Sequence, residues 1–337
     1  MGLSLFLFFR YTNTAMHEKH KTLVTHVCSL IEKGENAHAF LFTGPRGVGK
    51  RVLVELVLSE LIAHSREQQA QSTDRPFSFN TPHPDVLVIE RSSDATAIVL
   101  EDIQRAHQRL LHHPVWLPWN TVVVCDAHEM NAQTANAFLK LLEEPPPSAL
   151  IFLTATTVSA LLPTIVSRCH RIPVCSVSQH SLTHYMEEKG VALDRASWIA
   201  ALSQGRCAFA EDLVKEESWE EYTSFIRTVL LVIKTDLPSG FRAIEQYTKE
   251  KDDYQRMCEI MLSLVRDLIM LKISSSLPLV HEWLASELAL MKDRFSLDRL
   301  TACMAALLKE QEYRSISLHR RLRLEDILLS FHHSPAL

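Results

Sequence analysis

Apolar residues in the first half of the chain form short, nearly continuous runs that alternate with longer segments of helical period. The runs are too short for helices and are typical of strands buried on both faces. The predicted strands are Ala39–Phe42, Val86–Ile89, Thr121–Cys125, Leu150–Thr154 and His170–Val174. The predicted helices are 16–33, Lys50–Ala63, Leu100–Leu111 and Ala132–Glu143. This alternation predicts an α/β fold with a parallel sheet and right-handed crossover helices on both faces.

Past Pro173 the strand pattern ends, and apolar positions recur only at helical spacing. Long helices are predicted at Trp219–Ile233, Tyr254–Ile273 and Leu297–Leu308. The composition shifts near Ile172–Ser178 and, more weakly, around Glu216–Ser218. We expect an N-terminal extension over residues 1–15, an α/β domain over 16–175, a small helical domain over 176–217 and an all-helical domain over 218–337.

Two segments carry no clear helix or strand pattern. Residues 1–15 are expected to be a poorly specified extension, with Met16 as an alternative start. The apolar run Leu3–Phe9 is far shorter than the ~20 residues that span a bilayer. The polar segment Arg66–Pro84 contains three prolines and predicts a loop.

Composition narrows the possible functions. With 35 Lys and Arg against 40 Asp and Glu, the net charge is -5, so nucleic-acid contact must be local or shared with partners. The seven cysteines form no CxxC pair and lie mostly in apolar runs. We therefore expect reduced, buried thiols in a cytoplasmic protein, with neither disulfides nor a zinc module.

Three of the eight glycines fall within six positions. The string Gly44-Pro45-Arg46-Gly47-Val48-Gly49-Lys50-Arg51 fits G-x-x-x-x-G-K, between a predicted strand and a predicted helix. In such loops backbone N–H groups close around phosphate oxygens, and a lysine neutralises charge. The string therefore predicts a phosphate-binding loop, with an ordinary strand-to-helix turn as the alternative.

The residues needed for ATP hydrolysis are incomplete. Arg51 stands where a Ser or Thr hydroxyl should hold Mg²⁺. Another predicted strand leads to Asp126, the acid that normally assists the same metal, but Ala127 replaces the glutamate that would activate water. Glu129 lies nearby but out of register. We expect a degenerate nucleotide site without catalytic metal, no required cofactor, and ATP bound weakly at most.

The stretch Val122–Pro147, reading VVVCDAHEMNAQTANAFLKLLEEPPP, carries a more specific pattern. Together with IFLTATT and LLPTIVSRCHRI it resembles the clamp-loader branch of AAA+ proteins, and more closely the delta-prime subunits of bacterial DNA polymerase III. The matching motifs span roughly residues 38–175, with a looser match in the helical half. The resemblance implies that 16–175 is a nucleotide-binding-type domain, 176–217 a helical lid and 218–337 a helical collar that joins the subunits. Independently of the resemblance, Asn131 is expected to cap a helix with apolar residues Ala135 and Phe138 on one face.

The resemblance assigns a role to Arg168 in the run Ser167-Arg168-Cys169. The matching arginine of the family is a finger that reaches the ATP site of a neighbouring subunit, a task suited to the planar guanidinium. A structural or solvated arginine is the alternative. The implied partners are the ATPase subunits gamma/tau, the delta subunit, the sliding clamp and primed DNA, in a hetero-oligomer.

Two features depart from the relatives. Residues 64–85 contain no cysteine, although many relatives have a four-cysteine zinc site there. The lid of active relatives places an arginine three residues after a glycine, and in Gly205-Arg206-Cys207-Ala208 that place holds Ala208. Arg206 would compensate only with a shifted helix. The second departure again favours a subunit that does not hydrolyse ATP.

We therefore interpret the chain as a noncatalytic, stator-like clamp-loader subunit that supplies Arg168 in trans. The alternatives are an active ATPase motor of the same loader and a DNA-binding or scaffold module with a fossil nucleotide fold. Arg105 and Arg109 share a helix face that could touch DNA phosphates or simply be solvated. Surface positions are expected for the three nearby histidines, His107, His112 and His113.

Overall fold

The computed structural model describes residues 14–33, 38–68, 77–92, 95, 97–234, 238–242, 251–274, 277–312 and 320–332. Most of the predicted extension, 1–13, and part of the predicted loop, 69–76, lie outside these ranges. The chain divides into two compact units. The first runs to Glu188 and includes 204–209, and the second comprises 189–203 and 210–337.

The first unit contains a five-stranded sheet in which all strands are parallel. The strands are β1 Ala39–Thr43, β2 Val86–Ile89, β3 Asn120–Val124, β4 Ala149–Ala155 and β5 His170–Pro173. Their order is β2-β3-β4-β1-β5, so β1 lies between β4 and β5. Within this register Phe40 is opposite both Phe152 and His170. The predicted α/β fold is confirmed.

Helices cover both faces of this sheet. They are α1 Thr14–Glu32, α2 Lys50–Gln68, α3 Leu100–Leu111, α4 Ala132–Glu143, α5 Pro163–Val166 and α6 Gln179–Glu188. One core joins α1 and α2 to Phe42 and Phe152, and the other joins α3 and α4 to Leu41 and Ile151. The alternation of side chains along each strand supplies both cores.

The predicted ends of the helices are close to those observed. Asn131 caps α4, because its side-chain oxygen accepts the Thr134 N–H at 2.8 Å, and Ala135 and Phe138 are buried as predicted. The loop predicted from Arg66 begins later, since α2 continues to Gln68. Residues 66–68 are good helix formers that extend an already anchored helix, which overrides the polar loop pattern.

The described part of the second unit is helical, as predicted. Its helices are α7 Leu193–Ser203, α8 Cys207–Val214 (which begins in the first unit), α9 Glu216–Lys234, α10 Lys251–Ile273, α11 Ala285–Met291, α12 Leu297–Glu312 and α13 Arg320–His332. Residues 238–242 are also helical. The central helix α10 contacts α9, α11 and α12. Trp198, Trp219 and Trp283 form an aromatic cluster with ring centroids 5.7 to 6.4 Å apart. None of the described helices is long and apolar enough to cross a membrane.

Five of the seven cysteines are buried, in agreement with the expected buried thiols. Burial is the main reason that the pKa of Cys28 and that of Cys125 are each raised to about 12. These thiols are therefore protonated and poorly nucleophilic at neutral pH.

A buried carboxylate fixes the loop between α3 and β3. Asp85 has no exposed side-chain surface and accepts the backbone N–H groups of Val115, Trp116 and Leu117 at 2.7, 2.6 and 2.9 Å. Arg109 Nη2 lies 3.3 Å from the same carboxylate. Burial alone would raise the pKa of Asp85, but the three N–H donors together with nearby His83 outweigh it, and the pKa is lowered.

Replacing this carboxylate should destabilise the first unit. We expect Asp85→Asn to lower the free energy of unfolding at pH 7 by about 3 kcal/mol, because an amide NH₂ then faces N–H donors. The charged form is favoured in the folded state, so its contribution is present above the unfolded pKa of about 3.9 and is lost as pH falls further. Urea denaturation at pH 7 and pH 3 measures both effects. The exposed Glu101→Gln is the control, and an equal loss in both variants at pH 7 would contradict the assignment.

Candidate functional site

The glycine-rich loop, residues 44–49, leaves the carboxyl end of β1 and is tied to both neighbouring strands. Gly44 N–H donates to the Ala155 carbonyl at 3.2 Å, and Val174 N–H donates to the Thr43 carbonyl at 2.7 Å. A Cβ atom on Gly44 would lie 2.2 Å from the Val174 carbonyl oxygen. Only glycine permits this close backbone approach.

The loop then turns through left-handed conformations into α2. Gly47 and Gly49 have φ of 83° and 94°. Lys50 begins α2, is only 7% exposed, and donates from Nζ to the Gly44 and Pro45 carbonyls at 2.7 and 2.9 Å. Burial lowers the pKa of Lys50, although the nearby Asp126 carboxylate opposes this shift. The ammonium that should neutralise phosphate therefore lies against carbonyl oxygens of its own loop.

Arg51 occupies the position of the missing hydroxyl, one residue into α2. Its guanidinium pairs with Glu90, which follows β2, and lies 4.9 Å from the centre of the Phe79 ring. Because Glu90 pairs with the charge of Arg51, the main difference from a metal-binding loop is that position 51 offers no hydroxyl ligand.

Asp126 follows β3 at the same edge of the sheet, as predicted. It adopts a left-handed backbone conformation with φ of 51°, and its N–H donates to Thr154 Oγ1 at 2.8 Å. Ala127 is buried and begins a short 3₁₀ helix, Ala127–Glu129. Glu129 accepts a hydrogen bond from Arg91 Nε at 2.9 Å. The carboxylate of Glu129 is thus engaged by an arginine.

Sequence reasoning missed His128. Its side chain is mostly buried, with Nδ1 4.0 Å from Asp126 Oδ1 and no hydrogen-bond partner at Nδ1. Burial lowers the pKa of His128; Asp126 and Glu129 oppose this, while Lys50 reinforces it. The imidazole is therefore neutral at pH 7. In the sequence His128 is marked only by its position two residues after Asp126, and no motif assigns a role to a histidine at that position.

The segment 204–209 closes on the glycine loop. Ala208 N–H donates to the Gly47 carbonyl at 3.2 Å. A Cβ atom on Gly47 would lie 3.3 Å from the Cβ of Arg206, whose guanidinium is 4.8 Å from the Phe209 ring centre. The carbon stem of Arg206 therefore covers the loop, and the backbone of Ala208 contacts it.

Arg168 lies at the surface after α5. Its Nη1 donates to the Thr164 carbonyl at 3.0 Å, and Nη2 is 2.8 Å from Glu143 Oε1. The side chain of Arg168 is 36% exposed. The predicted finger is thus neither buried nor simply solvated, because a carboxylate of the same chain pairs with it.

The proposed DNA-facing arginines have partners within the chain. Arg105 pairs with Asp102, and the 23% exposed Arg109 contacts buried Asp85. Arg109 is therefore part of the packing rather than a solvated cation. Surface placement of the three nearby histidines is confirmed, since His107, His112 and His113 are exposed. Within the described ranges no group of three His, Cys, Asp or Glu residues could hold a metal ion.

Comparison with known proteins agrees with the motifs. Residues 19–177 match the family described as "DNA polymerase III, delta subunit". The chain is 23% identical to DNA polymerase III subunit delta′ of Bacillus subtilis over 275 residues, covering 79% of this chain and 82% of the relative. It is 25% identical to subunit gamma/tau of Mycobacterium tuberculosis over 276 residues, covering 72% of this chain but only 46% of that relative. A gamma subunit-related protein of Thermotoga maritima aligns with a TM-score of 0.49 at 18% identity, over 92% of this chain and 98% of the other.

The chain is therefore similar in sequence to subunits of DNA polymerase III. Within this class the matched family and the Bacillus subtilis relative carry the delta and delta′ names, which confirms the resemblance to the delta-prime subunits.

The residue at position 51 predicts how ATP binding by the isolated chain depends on Mg²⁺. We expect Arg51→Thr to make ATP binding about tenfold tighter with Mg²⁺ than without it, because the hydroxyl restores one metal ligand. In the unmodified chain, ATP binding should be weak and unaffected by Mg²⁺. Because Ala127 remains, the variant should not hydrolyse ATP. Titration calorimetry with Mg-ATP and with ATP plus EDTA measures the difference.

Arg105→Thr is the matched control, since it also removes an arginine paired with a carboxylate but lies on α3. It should bind ATP as the unmodified chain does. Tight, magnesium-dependent binding by the unmodified chain would contradict this account of the loop.

Proposed function

We propose that the chain is the noncatalytic, stator-like subunit of a DNA polymerase III clamp loader. It supplies Arg168 in trans to the ATP site of a neighbouring gamma/tau-type subunit. That subunit hydrolyses ATP while the complex, which also contains a delta subunit, places a sliding clamp on primed DNA in the cytoplasm. The chain itself needs no cofactor, and any ATP it binds is held weakly.

The observation that carries this proposal is the pair of residues at positions 51 and 127, beside the glycine-rich loop. Arg51, partnered by Glu90, stands where the metal-binding hydroxyl belongs, and buried Ala127 stands where the water-activating carboxylate belongs. Lys50 in addition donates to the loop carbonyls at 2.7 and 2.9 Å. Hydrolysis requires the metal, a positioned water and a cation on the phosphates together. The residues that would hold the metal and position the water are both replaced, which favours a supporting role in the complex over hydrolysis by this chain.

The exposure of Arg168 supports the second half of the proposal. An arginine that acts in trans must be reachable from outside, and Arg168 is 36% exposed beside the short helix α5. Guanidinium pairs with phosphate oxygens through its planar fork and stabilises charge that develops during phosphoryl transfer. In the isolated chain, without a neighbouring ATP site, Arg168 has no phosphate to contact.

The similarity to gamma/tau relatives favours one second candidate, an ATPase motor of the same loader. This function would need Mg²⁺ bound without a hydroxyl at position 51 and catalysis without a carboxylate at position 127. Lys50→Ala separates the candidates: the stator leaves the ATPase of the assembled complex unchanged, and the motor loses its share of it. Circular dichroism of the variant confirms that it is folded.

For the stator, Arg168→Ala in a complex reconstituted from all subunits should reduce ATP hydrolysis and clamp loading by about 10²-fold or more. Assembly should survive, because the exposed side chain contributes little to packing. Steady-state ATPase rates and gel filtration of the complex measure the two results.

The control for this experiment is Arg171→Ala, an exposed arginine three residues further on β5. It should leave both activities unchanged. An unchanged ATPase in the Arg168→Ala complex would refute the trans role and favour a scaffold or DNA-binding module.

A further inference from the structure

The guanidinium of Arg168 is held on the surface of its own chain by two elements. Glu143, the last residue of α4, places Oε1 2.8 Å from Arg168 Nη2. On the other side Nη1 donates to the Thr164 carbonyl at 3.0 Å and lies 3.4 Å from Ser167 Oγ. Both terminal nitrogens of the guanidinium therefore have acceptors within the chain.

These acceptors compete with any incoming phosphate for the same nitrogen atoms. A carboxylate and a phosphate oxygen bind the guanidinium fork in the same way. The negative charge of Glu143 also reduces the positive potential that Arg168 presents to an approaching anion. Glu143 itself is 48% exposed, so water and a second protein can reach the pair.

We propose that Glu143 is a positioning residue that latches Arg168. Its carboxylate holds the guanidinium on this chain's own surface, and the triphosphate of a neighbouring subunit displaces the carboxylate when the finger engages. This inference rests on the proposed trans role of Arg168. The latch is weak enough to open, because exposed ion pairs contribute little to stability.

The next residue provides a matched control. Glu144 is exposed like Glu143, and its backbone N–H caps the end of α4 by donating to the Lys140 carbonyl. The polar contacts of Arg168 within the described residues are with Thr164, Ser167 and Glu143, not with Glu144. Glu143→Gln and Glu144→Gln remove the same charge one residue apart. Glu143→Asp retains the charge on a shorter stem.

The experiment measures ATP hydrolysis against Mg-ATP concentration in the reconstituted complex. Glu143→Gln should raise the rate at subsaturating Mg-ATP by about two- to fivefold, mainly by lowering KM, the range expected when one exposed ion pair is removed. Glu144→Gln should have no such effect, and Glu143→Asp should remain closer to the unmodified chain. In the Arg168→Ala background the effect of Glu143→Gln should vanish. A Glu143→Gln rate equal to that of Glu144→Gln, or below it, would overturn the latch.

A second measurement uses the full-length chain alone. Phenylglyoxal modifies accessible guanidinium groups, and the adduct at Arg168 can be followed by peptide mass spectrometry. Modification should be about two- to fivefold faster in Glu143→Gln than in Glu144→Gln. Equal rates overturn the latch while leaving the trans role intact. An unchanged ATPase in Arg168→Ala, with unequal phenylglyoxal rates, overturns the proposed function instead.

Discussion

Backbone pairing around β1 determines the geometry of the candidate site. Because β1 lies between β4 and β5, the loop that leaves it is bonded to the Ala155 carbonyl and pressed against the Val174 carbonyl. A side chain at Gly44 would push the strand ends apart. The shape of the loop is therefore imposed by the sheet and needs no bound phosphate.

Backbone contacts also hold segment 204–209 against the glycine-rich loop. Val177 N–H donates to the Gly205 carbonyl at 3.2 Å, and a Cβ on Gly205 would lie 2.3 Å from the Val177 carbonyl. Ala208 N–H then reaches Gly47. These contacts involve backbone atoms, so they do not depend on a charged nucleotide. Ala208, at the position where the resemblance implies a nucleotide-contacting arginine in active subunits, thus contacts the loop through its backbone.

Local pattern was enough to predict the strands, most helices and the Asn131 cap, because each depends on neighbours within one turn or one strand. The partners of Arg51 and Arg109 could not be predicted in this way. Glu90 is 39 residues from Arg51, and Asp85 is 24 residues from Arg109. Asp85 precedes β2 at the end of a proline-containing polar segment, where an aspartate ordinarily indicates a turn. Only the folded sheet brings these charges together.

Lys50 and Arg168 both have acceptors within the chain, but their environments give these contacts different strengths. Lys50 is buried, and a buried ammonium without hydrogen bonds is costly, so its two carbonyl acceptors strongly oppose its release. Arg168 and Glu143 are both exposed, and water can replace either partner at little cost. The surface arginine can therefore exchange its acceptor at lower cost than the loop lysine can. This difference in burial supports the proposal that the chain acts on a neighbour's nucleotide rather than on its own.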